Sequence, residues 1–105
     1  MVLYLSGERT GTDRDWVERF SYAEREVSDA GYKVINPVKI HTRARGLTCE
    51  QMMDIDLALL DIADGIFMIS GWYNSTECNR EYGYALAKGL AVYDNQTLPR
   101  EYETE

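Results

Sequence analysis

A three-layer α/β sandwich, with helices on both faces of a small parallel sheet of four to five strands, is the fold this sequence predicts. Short apolar runs recur at residues 2–5, 32–35, 65–70 and 90–93. Amphipathic stretches long enough for helices lie between them, and glycine, asparagine or proline marks the junctions. Strand–helix alternation of this kind implies parallel pairing through right-handed crossovers.

The first strand, Val2-Leu3-Tyr4-Leu5, runs into the glycine-punctuated loop Ser6-Gly7-Glu8-Arg9-Thr10-Gly11. A first helix then carries Trp16, Phe20, Ala23, Val27 and Ala30 at helical spacing, with Thr12 or Asp13 placed to cap its start and Gly31 its end. Asn36-Pro37 stops the second strand, and a polar, basic stretch over residues 39–46 reads as a mobile loop above the strand ends. Thr48-Cys49-Glu50-Gln51 is a capping-box pattern that opens a second helix, reaching about Ala63. The run at 65–70 is the most apolar and hence the most central strand. A third helix begins near Ser75 or Thr76 and ends at Gly89, ahead of the last strand. Residues 1–93 form a single domain on this reading, and residues 94–105 an acidic, partly disordered tail.

The chain has 105 residues, with 11 Lys+Arg against 18 Asp+Glu and a net charge of −7. An acidic chain without a basic stripe argues against nucleic acid as a partner, because neutralising phosphates needs clustered Lys and Arg. No apolar run is long enough to cross a bilayer, and no leader is recognisable, so the sequence predicts a cytoplasmic protein acting on a small molecule. Cys49 and Cys78 are far apart without a CxxC pair and read as reduced core residues. His41 stands alone, so neither a metal nor a cofactor is expected.

Ligands of open parallel sheets bind at the carboxyl ends of the strands, and several polar residues fall there. The second helix has an apolar face of Met52, Ile55, Leu59, Leu60, Ile62 and Ala63, and Asp56 lies within that arc while Asp54 and Asp61 point away. A core-facing Asp is either hydrogen-bonded to the first strand's exit loop or functional. Glu81 borders the buried face of the third helix beside Cys78 and Ala85; it reads either as a solvated flank paired with Arg80 or Lys88, or as a nucleophile or base in the crevice. Asp64 reads as a turn residue or a ligand contact. Ser6, Gly7, Arg9, Thr10 and Gly11 could together cradle an anion, though they make neither a Walker loop nor GxGxxG. Trp72 and Tyr73 could stack on a flat base, or serve as rim packing or an oligomer contact.

Tyr4-Leu5-Ser6-Gly7, Thr10-Gly11, Phe20, Gly31-Tyr32 and Ile35-Asn36-Pro37, followed by Gly46-Leu47-Thr48, Asp56, Leu59-Leu60, Ala63-Asp64, Gly71-Trp72, Ser75, Glu81, Ala85 and Gly89, resemble a bacterial and phage family of domains of unknown function. That family is similar to the nucleoside 2-deoxyribosyltransferases, whose fold is flavodoxin-like or Rossmann-like. The resemblance spans residues 2–93. It implies Glu81 as the carboxylate attacking C1′ of a deoxyribose, Asp56 as the acid handling the leaving base's proton, and Tyr4 beside the nucleophile. Ser6, Gly7, Arg9, Gly11, Asp64, Gly71, Trp72 and Ser75 become substrate-binding candidates. The implied chemistry is a retaining two-carboxylate displacement, with burial raising the acid's pKa while the nucleophile stays ionised.

Two departures matter. The transferases place an Asp six residues before the nucleophile, where this chain has Ser75, as in the related deoxynucleoside-monophosphate N-glycosidases, which use a serine near there for the phosphate. Glu77, close by, would repel an anion. Related enzymes complete their sites across a subunit interface, which implies a homodimer or larger homo-oligomer. The expected function is therefore cleavage or exchange of the N-glycosidic bond of a deoxynucleoside or its 5′-monophosphate. The alternatives are a non-catalytic nucleotide-binding module and a TIR-like NAD glycohydrolase.

Overall fold

The computed structural model describes residues 1–9, 15–41, 43 and 46–100. Its elements run β1 (Val2–Ser6), α1 (Asp15–Asp29), β2 (Lys33–Ile35), α2 (Pro37–His41), α3 (Cys49–Asp61), β3 (Gly65–Met68), a single 3-10 turn (Trp72–Asn74), α4 (Thr76–Ala87) and β4 (Ala91–Tyr93). All strand pairs are parallel and the order is β2-β1-β3-β4. The chain thus adopts the α/β fold that the alternation of apolar runs and amphipathic stretches predicts. Among the described residues, no helix is long and apolar enough to cross a membrane.

Period-two alternation along β1 sorts the core into two layers. Leu3 and Leu5 join Phe20, Ala23 and Val27 of α1 with Phe67 and Ile69 on one face. Tyr4 points to the other, among Leu60 and Ala63, Ile66, Met68, and Cys78 and Ala85 of α4. β1 and β3 are the interior strands, and the chain leaves them in opposite directions. Their carboxyl ends therefore diverge into the crevice where open sheets bind ligands.

Helix starts follow local chemistry. Thr48 closes a full capping box with Gln51: its hydroxyl accepts from the Gln51 amide at 3.1 Å, while its own amide donates to the Gln51 side chain at 2.9 Å. Ser75 caps α4 by accepting from the Cys78 amide at 3.2 Å. Thr12 and Asp13, the expected caps of α1, lie outside the described residues.

Two expectations need correction. The stretch after Asn36 is not all loop: Pro37 opens the five-residue α2, where its fixed φ and missing N–H suit the first turn, and Asn36 Oδ1 accepts from the Val38 amide at 3.1 Å. Ile62 does not face the core; it is 69% exposed because α3 ends at Asp61, and the buried stripe is Met53, Asp56 and Leu60. The segment after Asp94 is docked as far as it is described. Asp94 Oδ1 accepts from the Gln96 and Thr97 amides, Leu98 packs on the α1-side core, and Tyr32 Oη donates to the Pro99 carbonyl at 2.8 Å.

Gly65 is where the sheet is tightest. A Cβ there would come 2.8 Å from Leu3 Cδ2 and 2.9 Å from the Ala91 carbonyl oxygen. The leucine can turn, but the carbonyl belongs to the β3–β4 ladder and cannot. Gly65→Ala should therefore destabilise the protein by about 1–3 kcal/mol in urea denaturation, with the midpoint lowered and the slope unchanged.

Candidate active site

The buried stripe of α4 is Cys78, Glu81 and Ala85, spaced so that a carboxylate stands in an otherwise apolar row. Glu81 has no exposed surface. It is tolerated because β1 supplies donors from directly beneath: Ser6 Oγ donates to Oε1 at 2.7 Å, and the Tyr4 hydroxyl donates to Oε2. Tyr4 and Ser6 are two residues apart, hence on the same face of the strand. Burial pushes the Glu81 carboxyl up to about 7, against the opposing pull of the Tyr4 and Ser6 hydrogen bonds and of Arg9. Burial first, and then the Glu81 charge, raise the Tyr4 phenol well above its ordinary value, so it remains a donor. Burial thus lifts the carboxyl that the resemblance casts as the nucleophile.

A second buried carboxylate, Asp56 of α3, is 1% exposed. Both of its oxygens are taken. Arg9 Nη2 donates to Oδ2 at 3.0 Å, and His41 Nε2 lies 2.7 Å from Oδ1. Arg9 Nη1 also meets His41 Nδ1 at 2.8 Å. A guanidinium can only donate, so Nδ1 must accept and the ring proton sits on Nε2, directed at Asp56. Arg9 Nη2 is also 3.9 Å from Glu81 Oε2. One guanidinium therefore bridges the two carboxylates. Burial opposes its charge, but Asp56, Tyr4 and Glu81 outweigh that and raise its pKa.

Above this cluster opens a cleft of about 290 Å³, lined by Gly7, Arg9, Trp16, His41, Cys49, Met52, Met53, Asp56, Ser75 and Glu77. Trp16, Met52 and Met53 form an apolar wall, and Arg9, His41, Asp56, Ser75 and Glu77 supply polar groups. Gly7 lets the loop lie flat on the core, since a Cβ there would fall 2.9 Å from Ile69 Cδ1 and 3.1 Å from Phe20. Glu81 is not on the cleft wall; it lies in contact range of Arg9, which is. Among the described residues, no group of three His, Cys, Asp or Glu side chains is arranged to hold a metal ion.

Of the candidates read from the sequence, Tyr4, Ser6, Gly7, Arg9, Asp56, Ser75 and Glu81 come together here. Asp64, Gly71 and Trp72 do not join them. Asp64 precedes β3 at the opposite end of the sheet, where its carboxylate accepts from the Val2 amide at 2.8 Å. Gly71 caps the 3-10 turn, and Trp72 packs on Tyr82 with ring centroids 4.8 Å apart. Gly11 lies outside the described residues. Sequence reasoning missed His41, set aside because it stood alone, and Trp16, counted only as core of α1. Cys49, expected in the core, is exposed at the cleft mouth, and Cys78 is buried. The usable signal for His41 was its position just past the β2 exit, beside the crevice.

The displaced Glu81 carboxyl has a consequence for folding. The native state holds a proton that the unfolded chain has released between the ordinary value of 4.5 and about 7. Stability then falls as pH rises across that window, and is unaffected by this group below it. Glu81→Gln removes the titration. Relative to wild type the variant should gain about 3 kcal/mol on going from pH 4 to pH 8. Paired denaturation curves at those two pH values test this, and a pH-independent difference would refute it.

A 2-deoxyribosyltransferase from the psychrotolerant bacterium Bacillus psychrosaccharolyticus superposes with a TM-score of 0.68 at 20% sequence identity, covering 90% of this chain and 71% of that one. At that identity the likeness establishes the shared fold. No protein of curated function matches the sequence. Residues 1–94 match the model of a domain of unknown function, DUF4406. That match takes in β1 through β4 and every residue of the buried carboxylate cluster, and the chain belongs to the DUF4406 family.

Proposed function

We propose that this protein cleaves or exchanges the N-glycosidic bond of a deoxynucleoside or its 5′-monophosphate, with Glu81 as nucleophile. The observation that carries the reading is the pair of buried carboxylates, Glu81 and Asp56, bridged by Arg9 at the carboxyl ends of β1 and β3. A lone buried carboxylate is a liability, and two of them beneath one cleft suit a displacement that needs a nucleophile and a proton carrier. The fold shared with a 2-deoxyribosyltransferase supports it.

In this reading a Glu81 oxygen attacks C1′, and the C1′–N bond electrons leave with the base. Asp56, in its acid form and held in place by Arg9 and His41, gives its proton to the departing base. Water, or a second base, then attacks C1′ and returns a proton to Asp56, and the C1′–O bond breaks to restore the Glu81 carboxylate. Water as acceptor makes a hydrolase, and a base makes a transferase. Tyr4 and Ser6 keep Glu81 oriented, and Trp16 with the two methionines offers the leaving base an apolar wall. Arg9 must yield for the sugar to reach Glu81. A homo-oligomer that closes the open side of the cleft belongs to the same proposal.

A non-catalytic nucleotide-binding module is the second reading, favoured by the complete burial of Glu81. Chromatographic detection of free base separates the two. Wild type, incubated with deoxynucleosides, their 5′-monophosphates and NAD, should release base, and Glu81→Gln should not, because an amide cannot replace the nucleophile. Asp56→Asn should slow release by about 10²–10⁴-fold. Turnover in wild type should climb with pH through about 7, as Glu81 loses its proton. Binding without release from any substrate would favour the module, nicotinamide release would redirect the reading to NAD, and full activity in Glu81→Gln would end the proposed mechanism.

A further inference from the structure

The two flanks of α4 differ in chemistry. Arg80, Tyr84 and the C-cap Lys88, spaced four apart, face α3. Arg80 Nη1 donates to Glu50 at 2.8 Å, the Tyr84 hydroxyl donates to Asp61 at 2.5 Å, and Lys88 Nζ lies 3.2 Å from the same carboxylate. Tyr82 and Leu86, also four apart, take the flank turned away from α3 and from the cleft. Trp72 packs on Tyr82 there, and Trp72, Tyr82, Leu90 and Val92 belong to one apolar layer. Leu86 leaves 53% of its surface exposed beside them, and none of these side chains carries charge.

This strip borders an open edge of the sheet. β4 pairs with β3 alone, Val92 standing opposite Ile66, and no further strand lies beside it among the described residues. Successive residues of a strand aim their backbone groups to opposite sides. Ala91 is aimed at β3, its amide donating to the Asp64 carbonyl at 3.3 Å, so the Val92 amide and carbonyl are aimed outward. Sheets defend such edges with lysine, proline or a bulge. The other outer strand, β2, begins at Lys33 and is followed by Pro37, whereas Leu90, Ala91, Val92 and Tyr93 offer no such residue. A chain of net charge −7 repels its own copies, and association is least opposed where the surface is neutral.

We propose that β4 is a self-association edge, where two copies pair antiparallel about a two-fold axis at Val92 and pack the Tyr82 and Leu86 flanks of their α4 helices together. A two-fold axis makes one patch its own partner, so a neutral strip needs no complementary charge. The two Val92 residues exchange both N–H···O bonds, and the two Leu86 side chains face each other across the axis. The interface lies on the far side of α4 from the cleft, and it stands independently of the glycosidase reading. Because β4 is only three residues long, the contact is small and the association weak.

Sedimentation of the full chain over about 1–100 µM should take wild type from monomer to dimer. Leu86→Glu and Leu86→Lys each bring like charges together at the axis and should weaken the dimer by about tenfold or more. Mixing the two variants should restore it, because opposite charges then face each other. Deuterium exchange at the Val92 amide of wild type should slow as the dimer forms, which tests the strand pairing without any substitution. Unchanged circular dichroism would show that the variants keep their fold. A wild type that stays monomeric, a dimer indifferent to both variants, no recovery on mixing, or a Val92 amide that exchanges as fast in the dimer as in the monomer would each overturn the assignment.

Discussion

Removing the Glu81 carboxylate from water is the constraint around which the site is organised. A fully buried carboxyl is costly unless its lone pairs are occupied, and its partners come from parts of the chain far apart in sequence: Tyr4 and Ser6 on β1, and Arg9 on the loop that follows. Those partners lie under α4 because β1 and β3 are paired in register from Leu3 with Gly65 to Ser6 with Met68, and α4 follows β3 back across the same face. A slip of one residue in β1 would turn Tyr4 and Ser6 to the α1 side and leave the carboxylate stranded in the apolar layer. The sheet register and the chemistry of the site are the same fact.

Arg9 extends that constraint to a second carboxylate. Its fork of donors reaches Asp56, His41 and Glu81 together, which a lysine's point charge could not do. The bridging cation allows two carboxylates to lie beneath one cleft without forcing either away. It also orients the His41 ring, since an acceptor at Nδ1 leaves the proton on Nε2, pointing at Asp56. Arg9 is thus committed to internal partners, and Trp16, Met52 and Met53 make the apolar part of the cleft wall. Glu77, also on the cleft wall, accepts from the Ser75 hydroxyl that caps its own helix.

Much of this was legible in the sequence. Helical periodicity placed Asp56 in an apolar arc, where it is buried, and the spacing of Thr48 with Gln51 gave the capping box. Periodicity was less decisive for Glu81, because three residues along α4 from Cys78 is an edge position until the helix is docked, and only packing shows that the edge lies against β1. Ile62 was misplaced because periodicity carries no signal for the turn at which a helix ends. His41 was passed over because a lone histidine has no sequence neighbour to pair with; its partners, Arg9 and Asp56, are 32 and 15 residues away. Trp16 and Trp72 exchanged roles for a similar reason: one aromatic in a helical stripe and one at a strand exit give no indication of which ring borders a cavity.

Local chemistry in the sequence determined the elements themselves: apolar runs that must be strands, capped amphipathic helices, and the strand–helix alternation that leaves parallel pairing as the workable solution. It also marked the carboxylates whose positions conflict with their polarity. Which groups relieve that conflict was decided only in the tertiary structure. Hydrogen bonds and ion pairs act over a few ångströms between residues separated by dozens of positions, so the partners of Glu81 and Asp56 exist only once the sheet register, the burial of α3 and α4, and the path of the β1 exit loop are all in place.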